Sequence, residues 1–329
     1  MSIIRKFSKK FISKARLSSG EDILEVVKKV KHYHDNNEHL YPLGKRFHYN
    51  SRMYLHSGAS QYRKNLDALH GKWAKNPSWF RERSQAIPGV QYTQPKLTRE
   101  KRYRIDSYKK HYKIGPYNRL FFKALFQEKI YNDSIDFRDC IEERDIEQVR
   151  KNLVRDKQAL LILSTPAVNF LYNYNGFLEA EPLDPEFLLS VGETSVDLKP
   201  MEYLHAKIYF YTHAIIGASR FYTEEILSYR NKYVEMLHRL ENIVEENFQL
   251  VSLDQKFEIM VCAKLLGMES TIRNAVAQEA ANSLSKKGDF FIDKLNKCDN
   301  KKSTFVKSEH RNVLGLMAFY DRSPGGSKE

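Results

Sequence analysis

The chain has 329 residues, 42% hydrophobic and 29% charged, enough apolar material for a buried core and enough length for two domains. Its 54 Lys and Arg against 41 Asp and Glu leave a formal net charge of +13, and no apolar run reaches the ~18 residues that cross a bilayer, which argues against an integral membrane protein. Three cysteines, Cys140, Cys262 and Cys298, cannot make a disulfide framework; a reducing, cytoplasmic setting is the simpler reading.

In chain order, residues 1–20 hold Arg5, Lys6, Lys9, Lys10, Lys14 and Arg16 and no acid, with Ile4, Phe7, Phe11 and Ala15 at helical spacing. Such a segment is a basic terminal tail, a peripheral helix on an anionic membrane, or an organelle-targeting segment. No apolar stretch follows its charges, so a secretory signal is not expected. Ser18 and Ser19 precede Glu21 and Asp22 in two overlapping capping patterns, and Ile23, Val26, Val27, Val30 and Tyr33 continue as a helix. From His39 to Tyr117 prolines and glycines divide the chain into short pieces, with a very basic helical stretch at 99–113.

Further on the helical signals strengthen. Leu120–Leu125 predicts a short helix, and Ile146, Val149, Leu153 and Leu160 predict one continuous helix. Thr165–Pro166 and Asp184–Pro185 each read as a cap followed by proline at the first helical position, opening helices to Gly176 and near Gly192. Pro200 opens a long helix through Leu227. Others follow around Tyr233–Val244, Asp254–Gly267, Thr271–Leu284 and Ser308–Tyr320. No hairpin of alternating strands competes with them. The expected fold is all-α, with antiparallel helical hairpins forming an α/α toroid or solenoid and a basic, irregular N-terminal extension.

Charge supports the same division. The first 130 residues hold 29 Lys and Arg against 10 Asp and Glu, a net of +19, while the remainder has a net of −6. The expected regions are therefore a basic tail (1–20), a basic Tyr-rich region (21–130), a helical body (131–320) and a flexible end (321–329). Ten tyrosines lie between Tyr33 and Tyr117, and Lys101, Arg102, Arg104, Lys109 and Lys110 alternate with Tyr103, Tyr108 and Tyr112. Cations neutralise phosphates and rings stack on unpaired bases, so this third is a candidate surface for nucleic acid or an anionic membrane. The other reading is a solvated basic face whose tyrosines pack it on the acidic body.

Three stretches, Tyr211–Gly217, Asp254–Gly267, and Gly288–Asp293 followed by Glu309–Leu314, make about half the chain resemble bacterial α/α-toroid proteins. Toroids of this broad type include lanthionine cyclases, prenyltransferase subunits and some sugar-processing enzymes. The resemblance implies a helical cavity and a setting in natural-product maturation. Zinc-dependent members gather Cys and His ligands in one cluster; here the cysteines stand apart, so no metal is expected.

Spacing selects the candidate site residues. At ~100° per residue, His205, Tyr209, Thr212, His213 and Arg220 share one ~100° stripe of the helix after Pro200. Two imidazoles and a phenol offer acid–base groups, and Arg220 an anion clamp. The competing reading makes these histidines ordinary hydrogen-bonded groups at helix contacts. Glu258 lies four residues beyond Asp254 on a face shared with Cys262, as a catalytic carboxylate or part of an ordinary helix start. His310 shares a face with Val313, Met317 and Tyr320, and with Arg311 is a ligand-binding candidate or a packed core group. No phosphate-loop, dinucleotide or nucleophile-elbow pattern occurs, and no cofactor is named by these residues. The leading expectation is a helical protein that binds or modifies a small molecule or peptide; the alternative acts on nucleic acid or an anionic membrane through residues 1–130.

Overall fold

The computed structural model describes residues 20–70, 77–132, 141–293 and 304–321. The basic tail before Gly20, Cys140, Cys298 and the Gly325–Gly326 end lie outside these residues. Among the described residues the protein is all-α: fifteen α-helices, two 3-10 turns, no strand, and one isolated antiparallel bridge between Leu284 and Phe291. No described helix is long and apolar enough to cross a membrane.

The chain divides into two units, residues 1–73 with 237–329, and residues 74–236. The first contains α1 (Gly20–Asn37), α2 (Leu43–Ser57), α3 (Ser60–His70), most of α12 (Arg230–Asn247), α13 (Leu253–Leu265), α14 (Arg273–Asn282) and α15 (Phe305–Phe319). The second contains α4 (Pro77–Ala86), α5 (Ile105–Lys110), α6 (Ile114–Tyr131), α7 (Glu143–Arg155), α8 (Lys157–Leu163), α9 (Thr165–Phe177), α10 (Pro185–Gly192) and α11 (Pro200–Ala218). The stretch expected as an irregular extension is thus largely helical. Prolines and glycines divide it into pieces in the sequence, yet the apolar faces of its helices are buried. Ile23, Val27, Val30 and His34 of α1 form one buried stripe, and Tyr49, Met53, Tyr62 and Leu66 of α2 and α3 are at most 1% exposed.

In the first unit α15 packs against α13, α2 and α1. Thr304, rather than Ser308, caps α15, accepting a hydrogen bond from the Lys307 N–H (3.3 Å). Gly315 makes the packing possible: a Cβ there would stand 2.9 Å from the Phe257 ring and 3.1 Å from that of Phe291. Ser252 caps α13 in a reciprocal box with Gln255, and Gly267 (φ 63°) ends its last turn.

In the second unit α9 packs between α6 and α11. The helix expected from Ile146 to Leu160 is two helices, because Asp156 stops α7 and caps α8 by accepting the Ala159 N–H (3.0 Å). Asp184 caps α10 as expected, accepting the Glu186 N–H (2.9 Å). The helix from Pro200 ends at Ala218 rather than Leu227. Arg220, Phe221 and Tyr222 follow with φ of 46°, 57° and 77°, a left-handed run of non-glycine residues that no sequence signal announces.

Candidate anion site in the second unit

The site begins with the basic turn Arg99–Arg104. A 3-10 turn brings residues three apart onto one side. Lys101 and Arg104 accordingly sit over the same ring, that of Tyr209 on α11, with Nζ 5.5 Å and Cζ 5.9 Å from its centroid. Such cation–ring contacts contribute about 0.5–2 kcal/mol each. Arg104 is 4% exposed; it donates to Ser164 Oγ (2.9 Å) and to the Tyr103 hydroxyl (3.2 Å). Burial pushes the Tyr103 and Tyr108 phenols up, with Arg104 opposing, so both keep their protons near neutral pH.

Ser164 corrects the expected cap of α9. The cap residue is Ser164 (φ 48°), not Thr165; its side chain accepts no helix N–H, and its hydroxyl accepts from Arg104. The α9 N-terminus therefore keeps its dipole without a capping side chain. Asn118 of α6 reaches the same turn, donating through Nδ2 to the Pro166 carbonyl (2.6 Å). From α11, His213 Nδ1 donates to Asn169 Oδ1 (2.9 Å), which ties the predicted imidazole to α9.

Between these elements and the segment Val90–Thr98 lies a cavity of about 770 Å³. Lys96, Lys101, Arg104 and Arg119 line it, and none of the described lining residues is acidic. Tyr92, Tyr108 and Tyr112 supply aromatic surface, with the Tyr92 and Tyr112 rings edge-to-face at 6.5 Å. Thr165, Pro166 and Asn169 place the start of α9 in the wall. Two buried polar atoms of lining residues, Asn118 Oδ1 and the Tyr92 hydroxyl, have no hydrogen-bond partner in the protein. Buried polar atoms are rarely left so. Cations, an uncapped helix start and neutral phenols suit an anion carried on a planar group.

The predicted residues are thus distributed as follows. Tyr209, Lys101 and Arg104 come together, and His213 bonds Asn169 of the wall, though neither Tyr209 nor His213 lines the cavity itself. His205 is half-buried on the same helix. Arg220 leaves the stripe, because α11 has ended before it; it pairs with Glu128 (3.5 Å) and Glu224 (3.4 Å). Lys110 is engaged by Asp156 (2.6 Å), while Arg102 and Lys109 are exposed. Burial would raise the Asp156 carboxyl, but Lys110, the Ala159 N–H and His111 outweigh it and bring the group down to about 2.

Glu258, Arg311 and His310 belong to the first unit. Glu258 is 3% exposed, and its charge adds to burial in pushing the Cys262 thiol up. Of the expected Asp254–Glu258 pair, Asp254 is engaged by Arg311, whose Nε donates to its Oδ1 at the start of α13. His310 does not share the buried face of α15; it is exposed, its ring 5.5 Å from that of His48, which bonds the buried Glu309 (2.6 Å). The buried face instead carries Asn312, Val313 and Leu316.

Sequence reasoning missed Tyr92, Lys96, Asn118, Arg119 and Asn169. They come from three separate segments that no sequence signal joins. It also missed Lys264, which lines a cavity of about 410 Å³ in the first unit, donates to the Tyr320 carbonyl, and is brought down to about 8 by burial. Comparison with family models, with curated proteins and with solved structures finds no match.

Proposed function

We propose that this protein binds a phosphate-bearing ligand of nucleotide size in the basic cavity of its second unit. One observation carries the reading. Four cations line the cavity without a described carboxylate, beside a buried Asn118 oxygen that no protein donor satisfies. The volume falls within the few hundred to ~1,000 Å³ usual for small ligands. In this reading Lys96, Lys101 and Arg119 meet the phosphate, Arg104 holds the turn in place, and a tyrosine covers a planar ring.

A second reading, single-stranded nucleic acid, is favoured by the exposed Arg99, Arg102 and Lys109 on the turn and its neighbouring helix. There the cavity would hold one nucleotide of a longer strand.

Titrating the full chain with adenosine monophosphate, with pyrophosphate and with a short oligodeoxythymidine tests both. The expected result is saturable binding that drops at least about tenfold in the double variant Lys96→Ala, Arg119→Ala, whose sites are exposed and whose fold should survive. Much tighter binding of the oligomer than of the mononucleotide would select the second reading. Affinities unchanged in the double variant would contradict both.

A further inference from the structure

In the first unit, the connection between α1 and α2 turns apolar side chains outward. Leu40 ends the 3-10 turn Glu38–Leu40 and Leu43 begins α2; they are 54% and 37% exposed. Between them Tyr41 (φ −73°, ψ 139°) and Pro42 (φ −53°, ψ 150°) have polyproline-type backbone, which makes one turn every three residues. Leu40 and Leu43 therefore project on one side of the connection, with the exposed Pro42 beside them. Tyr41 points the other way. It is buried, bonds His34 through its hydroxyl, and stacks on Phe305 with centroids 4.6 Å apart. Single exposed leucines are ordinary on a protein surface. Here two are braced outward by one buried ring.

The charge around this tip is mainly positive. The acids beneath it are buried and engaged. Glu38 accepts from Arg46 (3.0 Å) and Asn50 (2.9 Å), and Glu309 accepts from His48 (2.6 Å) and lies 3.6 Å from Lys45. The outer groups are cations. Lys307 is exposed two residues beyond Phe305. Lys286 and Lys287 are exposed in the turn Ser285–Gly288, and Phe290 at the foot of that turn packs on Phe305 (6.0 Å). The Tyr41–Phe305 stack thus joins the leucine tip to these three lysines, with the half-buried Asp289 as the acid among them.

We infer that this loop docks the first unit on an anionic lipid bilayer. Leu40, Pro42 and Leu43 enter the boundary between headgroups and acyl chains, while Lys286, Lys287 and Lys307 meet the headgroup phosphates. Apolar burial and attraction to anionic lipid add in contacts of this kind. The inference uses no residue of the anion cavity, which lies in the other unit, and stands whether or not that cavity binds a nucleotide. It is also distinct from the basic residues 1–20, which enter α1 at its opposite end.

The test is co-sedimentation of the full chain with phosphatidylcholine vesicles, with and without phosphatidylserine at about one-third of the lipid. The expected result is binding to the anionic vesicles, at least about tenfold weaker in the double variant Leu40→Ser, Leu43→Ser, which loses the apolar insertion. That variant should keep the parent's Tm, because both side chains are exposed. A second variant, Lys286→Gln, Lys287→Gln, should bind more weakly and depend less on salt. The cations of residues 1–20 remain in every variant, so binding by that segment alone would leave the leucine variant equal to the parent. Undiminished binding by the leucine variant, equal binding to neutral vesicles, or no binding overturns the inference. So does a lipid-free dimer that the leucine variant dissolves in sedimentation velocity, since that assigns the tip to a second copy.

Discussion

His34 shows how burial sets chemistry at a single residue. Its Nδ1 lies 2.5 Å from the Tyr41 hydroxyl, and the rings of Tyr49 and Phe305 pack on it. Burial lowers its pKa from 6.5 to about 4. An unfolded chain takes up this proton near 6.5, while the folded one resists until about 4. The group therefore costs no stability above 6.5, and an increasing amount as the pH falls through that window, reaching about 3 kcal/mol. Urea unfolding of the parent and of His34→Gln at pH 7, 5 and 4 should show the parent losing more stability on acidification. Asp156 acts lower on the scale. Held at about 2 against an ordinary 3.8, it stabilises the fold above that ordinary value and loses the effect as the pH drops towards 2. Asp156→Asn should cost about 1–2 kcal/mol at pH 7 and almost nothing near pH 2, measured the same way. Only part of this was readable in the sequence. Tyr209 and His213 were found by helical spacing because α11 is regular where they lie. Arg220 was misplaced because the helix ends in left-handed non-glycine residues, which tertiary packing enforces and no local propensity foretells.

At the scale of helices, α13 and α14 are joined through a buried ion pair, Lys256–Glu279, with both side chains fully buried and the ammonium 3.8 Å from the Phe248 ring. Burial pushes Lys256 down and Glu279 up, each opposed by its partner. Removing one charge strands the other. Glu279→Gln should cost about 3–5 kcal/mol in denaturant unfolding, whereas replacing both with apolar residues of like volume should cost far less. Gly315 offers a second test. Alanine is favoured in a helix by about 1 kcal/mol, but its Cβ would press on Phe257 and Phe291, and overpacking costs about 1–3 kcal/mol. Gly315→Ala should therefore destabilise by about 1 kcal/mol, read as a lower Tm. Helix starts marked by proline after a cap were legible, as at Asp184–Pro185 and Pro200. The break at Asp156 was not, because its apolar spacing runs on across two helices.

For the molecule as a whole, the uneven charge takes on a structural meaning. The +19 of the first 130 residues is divided between two units, and 74–130 contributes 14 Lys and Arg against 4 Asp and Glu. Those cations are not an appendage to the helical body. Four of them, Lys96, Lys101, Arg104 and Arg119, line a cavity whose wall also includes α6 and the start of α9. The toroid expectation rested on successive hairpins. Successive helices do pair, as α2 with α3, but α15 packs on α13, α2 and α1, which lie far apart in the chain. Long-range pairing of that kind leaves no periodic trace in a single sequence. The most direct test of the anion site is the salt dependence of adenosine monophosphate binding to the full chain. Affinity is predicted to fall as salt rises, because salt screens the phosphate from the cations, and to fall less in the double variant Lys96→Ala, Arg119→Ala. Binding that ignores salt, or a slope identical in the parent and the double variant, would contradict it.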